Sequence, residues 1–146
     1  MSFFNSFNVS ATGLTAERLR MDVISKNIAN TNTTRTSAGT PYRRQIPIFK
    51  ELESASFKDV FDQAMGDKSA GQGVEVVAIK EDMSDFKREY NPSHPDADED
   101  GYVLLPNVDV VTEMINLISA SRAYEANVTV INGTKSMAMK ALSIGR

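Results

Sequence analysis

Few residues in this chain have types and spacing that could do chemistry. The run Asp96-Ala-Asp-Glu-Asp-Gly101 places carboxylates at alternate positions before a glycine, as in the first half of a calcium loop. The second half fails. Asn107 stands where a bidentate Glu is needed, Pro106 precedes it, and no helix leads into the run. The expectation is therefore a solvated acidic turn whose Asp100-Gly101 feeds an extended Tyr102-Val-Leu-Leu105. The single histidine, His94, lies between Pro92 and Pro95 with no nucleophile or orienting acid nearby in sequence. With no cysteine, thiolate metal sites, disulfides and thiol nucleophiles are excluded, and one histidine cannot make a histidine cluster. Four Asn-X-Ser/Thr triplets, beginning at Asn8, Asn32, Asn127 and Asn132, read as chance in an Asn- and Thr-rich chain. No glycine loop could cradle a phosphate. The sequence thus reads as a protein without catalytic site, metal or cofactor.

Composition agrees with that reading. The chain has 146 residues and a formal net charge of −3. Nothing in that balance points to nucleic acid, and the adjacent pair Arg43-Arg44 reads as solvent-facing. No run is long and apolar enough to insert in a membrane, and no basic stretch followed by an apolar core marks a cleaved leader.

What must carry the function is a pair of helices at the two ends. From Asn107 to Leu142, apolar or small residues recur at steps of four and three through Val110, Met114, Leu117, Ser121, Tyr124, Val128, Ile131, Lys135, Ala138 and Leu142. This is a heptad seam, and Val111, Ile115 and Ile118 widen it. Asn107 or Asp109 can cap the start, and Gly133 weakens the interior. A helix from Val108 to Leu142 would be about 50 Å long, too long for a small domain to cover. Its natural partner is Phe3 to Asn32, where Phe7, Leu14, Met21 and Ile28 are spaced by seven. Ser10 or Thr12 could cap that helix, and the run Asn27 to Thr33 ends it.

Between them, Thr33 to Pro41 reads as a mobile polar linker. Tyr42 to Phe49 reads as an edge strand because of Pro47, and Lys50 to Met65 as a short amphipathic helix or loop. Gly66 to Gly73 reads as a second flexible stretch. Gly73 to Asp82 reads as a strand with Val74, Val76 and Ala78 on one face, and Phe86 to Tyr90 as its hairpin return. The expected fold is α+β, mainly α. Residues 1–33 and 107–146 form long helices paired as an antiparallel coiled coil, and residues 34–106 form a linker and a small β-rich lobe.

Two stretches resemble the bacterial flagellar basal-body rod proteins. Leu14-Thr-Ala-Glu-Arg-Leu-Arg-Met-Asp-Val-Ile-Ser-Lys-Asn-Ile-Ala-Asn-Thr-Asn-Thr33 is similar to their N-terminal motif, and Asn116-Leu-Ile-Ser-Ala-Ser-Arg-Ala-Tyr-Glu-Ala-Asn127 to its C-terminal companion. Tyr90 to Asp109 and the short chain are most similar to the proximal-rod subunits of that family. The resemblance implies a structural subunit that assembles with copies of itself and other rod subunits into a hollow helical axle transmitting motor torque. It also implies export by the flagellar type III apparatus without a cleaved signal, and a place in the rod crossing the periplasm. On that reading Leu14, Met21, Ile28, Met114, Leu117, Tyr124, Val128 and Ile131 belong to the assembly seam, and Asn27 and Asn30 hold the helix exit. A cytoplasmic adaptor or chaperone binding a partner helix is the alternative. A peptidoglycan hydrolase would need an acid pair held in a pocket.

Overall fold

A computed structural model describes residues 3–52 and 72–144. The element order is α1 (Phe3–Ala29), β1 (Gln45–Glu51), β2 (Val74–Glu81), β3 (Lys87–Tyr90), β4 (Tyr102–Leu105) and α2 (Val110–Ile144). The expected α+β architecture, with a long helix at each end and a small β-containing middle, is what the chain adopts. Among the described residues no helix is long and apolar enough to cross a membrane.

The helices begin and end for local reasons. α1 runs unbroken from Phe3, so Ser10 and Thr12 are interior residues and not caps. Ser10 is buried, and the Thr12 hydroxyl donates to the Val9 carbonyl at 2.8 Å. At its end, the Lys26 carbonyl accepts both the Asn30 backbone N–H and the Asn30 side-chain amide, which reinforces the last helical bond. α2 is capped by Asp109, whose carboxylate accepts the Thr112 N–H at 3.2 Å and the Thr112 hydroxyl. Asn107 faces elsewhere, as described below.

The strands form two separate two-stranded sheets, β1 with β2 and β3 with β4. Among the described residues every strand is therefore an edge, where Pro47 is tolerated inside β1. β2 alternates as expected, with Val74, Val76 and Ala78 partly buried. The expected hairpin between Gly73–Asp82 and Phe86–Tyr90 is not formed. β3 pairs instead antiparallel with β4, Lys87 opposite Leu105 and Tyr90 opposite Tyr102. The acidic run is the connection of that hairpin. Gly101 adopts φ +80°, and the Asp98 carboxylate accepts the Tyr102 N–H at 2.7 Å. The supposed mobile linker is a hydrogen-bonded loop, with Thr36 and Thr40 paired across Gly39 at 2.9 Å and Tyr42 N–H donating to the Thr33 carbonyl at 3.1 Å. The helix or loop expected at Lys50 to Met65, and the flexible stretch at Gly66 to Gly73, lie almost entirely outside the described residues.

The chain divides into two compact units. The first comprises Met1–Arg18, Phe49–Val77 and Ser121–Arg146. Here α1 meets α2 where Gly13 lies against Asn127, and α1 meets the start of β2 where the Thr12 hydroxyl accepts the Val74 N–H at 3.2 Å. Gly73 has φ +126°, and a Cβ on it would collide with Thr12. The second unit comprises Leu19–Ile48 and Ala78–Ala120, with Val23, Ile24, Tyr42, Val103, Val108 and Ala120 as its buried apolar residues. In it Asn27 of α1 meets Glu113 of α2.

Candidate functional site

The helix faces come first. On α2 the deeply buried positions are Glu113, Ala120 and Thr134, spaced by heptads, with Ala120 wholly inaccessible. On α1 they are Ser10, Ala16, Val23, Ile24 and Asn27. These residues are mostly small or polar. The large apolar residues of the first half of α2 point outward: Val111 is 66 % exposed, Met114 53 %, Ile115 62 % and Ile118 53 %. Of the seam residues read from the sequence, Met114 lies on this open face. Leu14, Met21, Ile28, Leu117, Tyr124, Val128 and Ile131 are half-buried. One helix thus carries two faces, one turned into the chain at Glu113, Ala120 and Thr134 with Leu117, Tyr124, Val128 and Ile131 half-buried, and one at Val111, Met114, Ile115 and Ile118 that is largely exposed.

The second feature is a buried polar cluster in the second unit. Asn27 is 1 % exposed. Its Nδ2 donates to the Gln45 carbonyl and to Glu113 Oε2, both at 2.9 Å. Its Oδ1 accepts the Tyr42 hydroxyl and the Gln45 N–H, both at 2.9 Å. Glu113, also 1 % exposed, turns its other oxygen to Arg44, which donates from Nε at 2.8 Å and from Nη2 at 2.7 Å. Arg44 reaches Asp82 through Nη1 at 3.4 Å. Its backbone N–H donates to Asn107 Oδ1 at 2.9 Å, while Asn107 Nδ2 donates to the Asp82 carbonyl at 2.9 Å and the Ser84 hydroxyl at 2.8 Å. Asn107 is thus a splint between two loops and not a helix cap. Asn30 lies outside the cluster, accepting the Thr33 hydroxyl at 3.2 Å.

The electrostatics follow from these contacts. Burial pushes the Tyr42 phenol above its ordinary value of 10.0, and Glu113 adds to it. Burial works against the charged form of Arg44, but Glu113 and Asp82 together outweigh that and raise its pKa. Hydrogen bonds from Ser84 lower the Asp82 carboxyl below 3.8, and Arg44 assists. The expectation that Arg43-Arg44 faces solvent fails for both. Arg44 is bound as above, and the Arg43 guanidinium sits 4.3 Å over the Phe86 ring while donating to the Asp82 and Ser84 carbonyls.

Tyr42, Arg44, Asp82 and Glu113 were invisible as a group in the sequence, because their partners lie tens of residues away. One signal was available. Glu113 is a charged residue seven positions before Ala120, on the same helical face. Among the described residues no three His, Asp or Glu side chains come together as metal ligands. The cluster holds the end of α1, the start of β1 and the first turn of α2 to one another.

Two family models match the two ends of the chain: "Flagella basal body rod protein" at residues 7–35 and "Flagellar basal body rod FlgEFG protein C-terminal" at residues 99–144. Relatives match it throughout. The flagellar basal-body rod protein FlgC of Borreliella burgdorferi is 54 % identical, over 99 % of this chain and 98 % of its own. The FlgC proteins of Bacillus subtilis and Salmonella typhimurium are 49 % and 38 % identical over the whole of both chains. The chain belongs to the FlgC family of flagellar basal-body rod proteins. Its function is that of a structural rod subunit, and the adaptor alternative finds no support in these relatives.

Proposed function

We propose that this chain builds the proximal part of the rod, meeting copies of itself and other rod subunits through its terminal helices. Residues 1–33 and 107–146 form the inner, coiled-coil layer of a hollow helical axle, and residues 34–106 the outer lobe. The axle transmits motor torque, and the subunit reaches it through the flagellar type III export apparatus without a cleaved signal. The observation that supports this reading is the outward apolar face of α2 at Val111, Met114, Ile115 and Ile118. Contiguous apolar surface of this kind marks an interaction face. A heterologous contact that does not close generates a helical array, as an axle requires.

The test is Ile115→Asp with Ile118→Asp, introduced in the native gene. The expected result is a soluble, folded chain and non-motile cells without rods. Normal motility with intact rods in that strain overturns the reading.

A further inference from the structure

Asn27 has two amide donors and two acceptor lone pairs, and all four are engaged by groups outside α1. Gln45 takes one donor and supplies one acceptor partner, Tyr42 supplies the other, and Glu113 Oε2 takes the second donor. Glu113 shares its carboxylate between Asn27 on one oxygen and Arg44 on the other. Three chain segments, the last turn of α1, the start of β1 and the first turn of α2, therefore meet at two side chains that are each 1 % exposed. If any one segment leaves, buried polar groups on the other two lose their partners. While all three segments are docked both side chains are sealed from solvent, so the pairing that a departing segment breaks is buried pairing. Of the six hydrogen bonds the cluster makes between segments, opening α1 breaks four, opening the Tyr42–Gln45 segment five and opening α2 three, so no segment leaves without forfeiting at least half of the polar pairing.

We infer that Asn27, Arg44 and Glu113 form a three-way latch that makes these segments one cooperative folding unit, none in place until all are. The latch lies wholly within the second unit and does not depend on how the subunit assembles. Its consequence is that the outward face at Val111, Met114, Ile115 and Ile118 is displayed only when α1 and β1 are also docked. Ordering is thereby coupled across positions 86 apart in sequence.

Native-state hydrogen exchange on the full chain tests this at amides within residues 23–29, 42–48 and 110–116. In the wild type, added denaturant should open all three segments in a single step. Asn27→Leu and Arg44→Met should each raise the opening constant of all three segments by about tenfold or more. Because Asn27 and Arg44 are both partners of Glu113, the double variant should raise it by less than the product of the two. Three separate opening steps, effects confined to the substituted segment, or multiplicative effects would each overturn the latch. The wild-type denaturant series decides the matter by itself should a variant not fold.

Discussion

Gly13 of α1 packs so closely against Asn127 of α2 that a Cβ on Gly13 would stand 3.0 Å from the Asn127 amide nitrogen. Asn127 is itself anchored, its Nδ2 donating to the Ala123 carbonyl at 3.1 Å. Two opposing effects decide what a side chain at position 13 does. Alanine favours the helix by about 1 kcal/mol over glycine, but it must push the Asn127 amide aside. Gly13→Ala should therefore be close to neutral in the wild type and stabilising by about 0.5–1 kcal/mol when Asn127 is also Ala. Gly13→Leu has no such escape and should cost about 1–3 kcal/mol through overpacking. Chemical denaturation of Gly13→Ala, Asn127→Ala, their double variant and Gly13→Leu, read by circular dichroism, checks the signs. A stabilising Gly13→Ala in the presence of Asn127 would show that the helices do not approach this closely.

Gly133 gives the clean counterpart. It lies within α2, and a Cβ built there meets nothing within 4 Å. Gly133→Ala should therefore return the full helical preference, about 1 kcal/mol, with a matching rise in the melting temperature of the purified chain. No gain would mean that α2 is not helical through this position in the free subunit.

Glu113 sits in the first turn of α2 with its carboxylate shut from solvent, so truncation leaves Asn27 and Arg44 without their shared acceptor. Removing one partner of a buried ion pair costs about 3–5 kcal/mol. Arg44 keeps about a quarter of its side chain exposed and can rehydrate in part. The expected loss for Glu113→Ala is thus about 2–3 kcal/mol. Arg44→Lys, which keeps a cation against Glu113, should cost less. Urea midpoints of the two variants order them, and the reverse order would mean that guanidinium geometry matters more than the carboxylate.

These residues also show what the sequence could and could not disclose. Both long helices were legible, because their apolar spacing extends over many turns. The inner face of α2 was not, since Val110, Val111, Met114, Ile115, Leu117 and Ile118 surround the first half of the helix and periodicity cannot choose among them. The chain packs inward through Glu113 and Ala120 instead. The partner of β3 was misread for a similar reason. Lys87-Arg-Glu-Tyr90 is exposed at every position, so no buried face sets its register. The pairing with β4 is made at an acidic turn closed by Asp98 and Gly101, backed by Tyr90 and Tyr102 edge to face at 5.3 Å. Charges such as Arg44 and Glu113 look solvated until their partner, 69 positions away, is placed beside them.

Three groups set the pH response, two carboxyls with one sign and a phenol with the other. Asp82 and Asp109 both have carboxyls held below 3.8, by Ser84 and by Thr112 respectively. Their contribution is complete above the unfolded value near 3.8 and is lost as pH falls through the lower folded values. Tyr42 is raised above 10.0, so its contribution is complete below that value and is lost as pH climbs from there through the folded value. Stability should fall at both extremes. Asp82→Asn should flatten only the acid limb, and Tyr42→Phe only the alkaline one. Denaturation series across each limb test this, and a Tyr42→Phe variant with an unchanged alkaline limb would remove Tyr42 from the account.

The half-buried and the exposed apolar residues of α2 should separate folding from assembly. Leu117 and Tyr124 are partly covered within the chain, whereas Met114 is half open and Ile115 more so. An aspartate at Leu117 or Tyr124 places a charge where the chain itself packs, and should cost the subunit about 1–3 kcal/mol before any neighbour is met. An aspartate at Met114 stands on a face about half open to water, so its effect on stability should be smaller, about 0.5 kcal/mol. If the open face is the one that neighbours cover, Met114→Asp must nevertheless abolish rod formation as completely as Leu117→Asp does. Urea midpoints of the purified variants, set beside motility of the corresponding strains, distinguish the cases. A Met114→Asp strain that swims normally would move the contact surface to another face of the subunit. Equal destabilisation by Met114→Asp and Leu117→Asp would mean that Met114 is covered in solution.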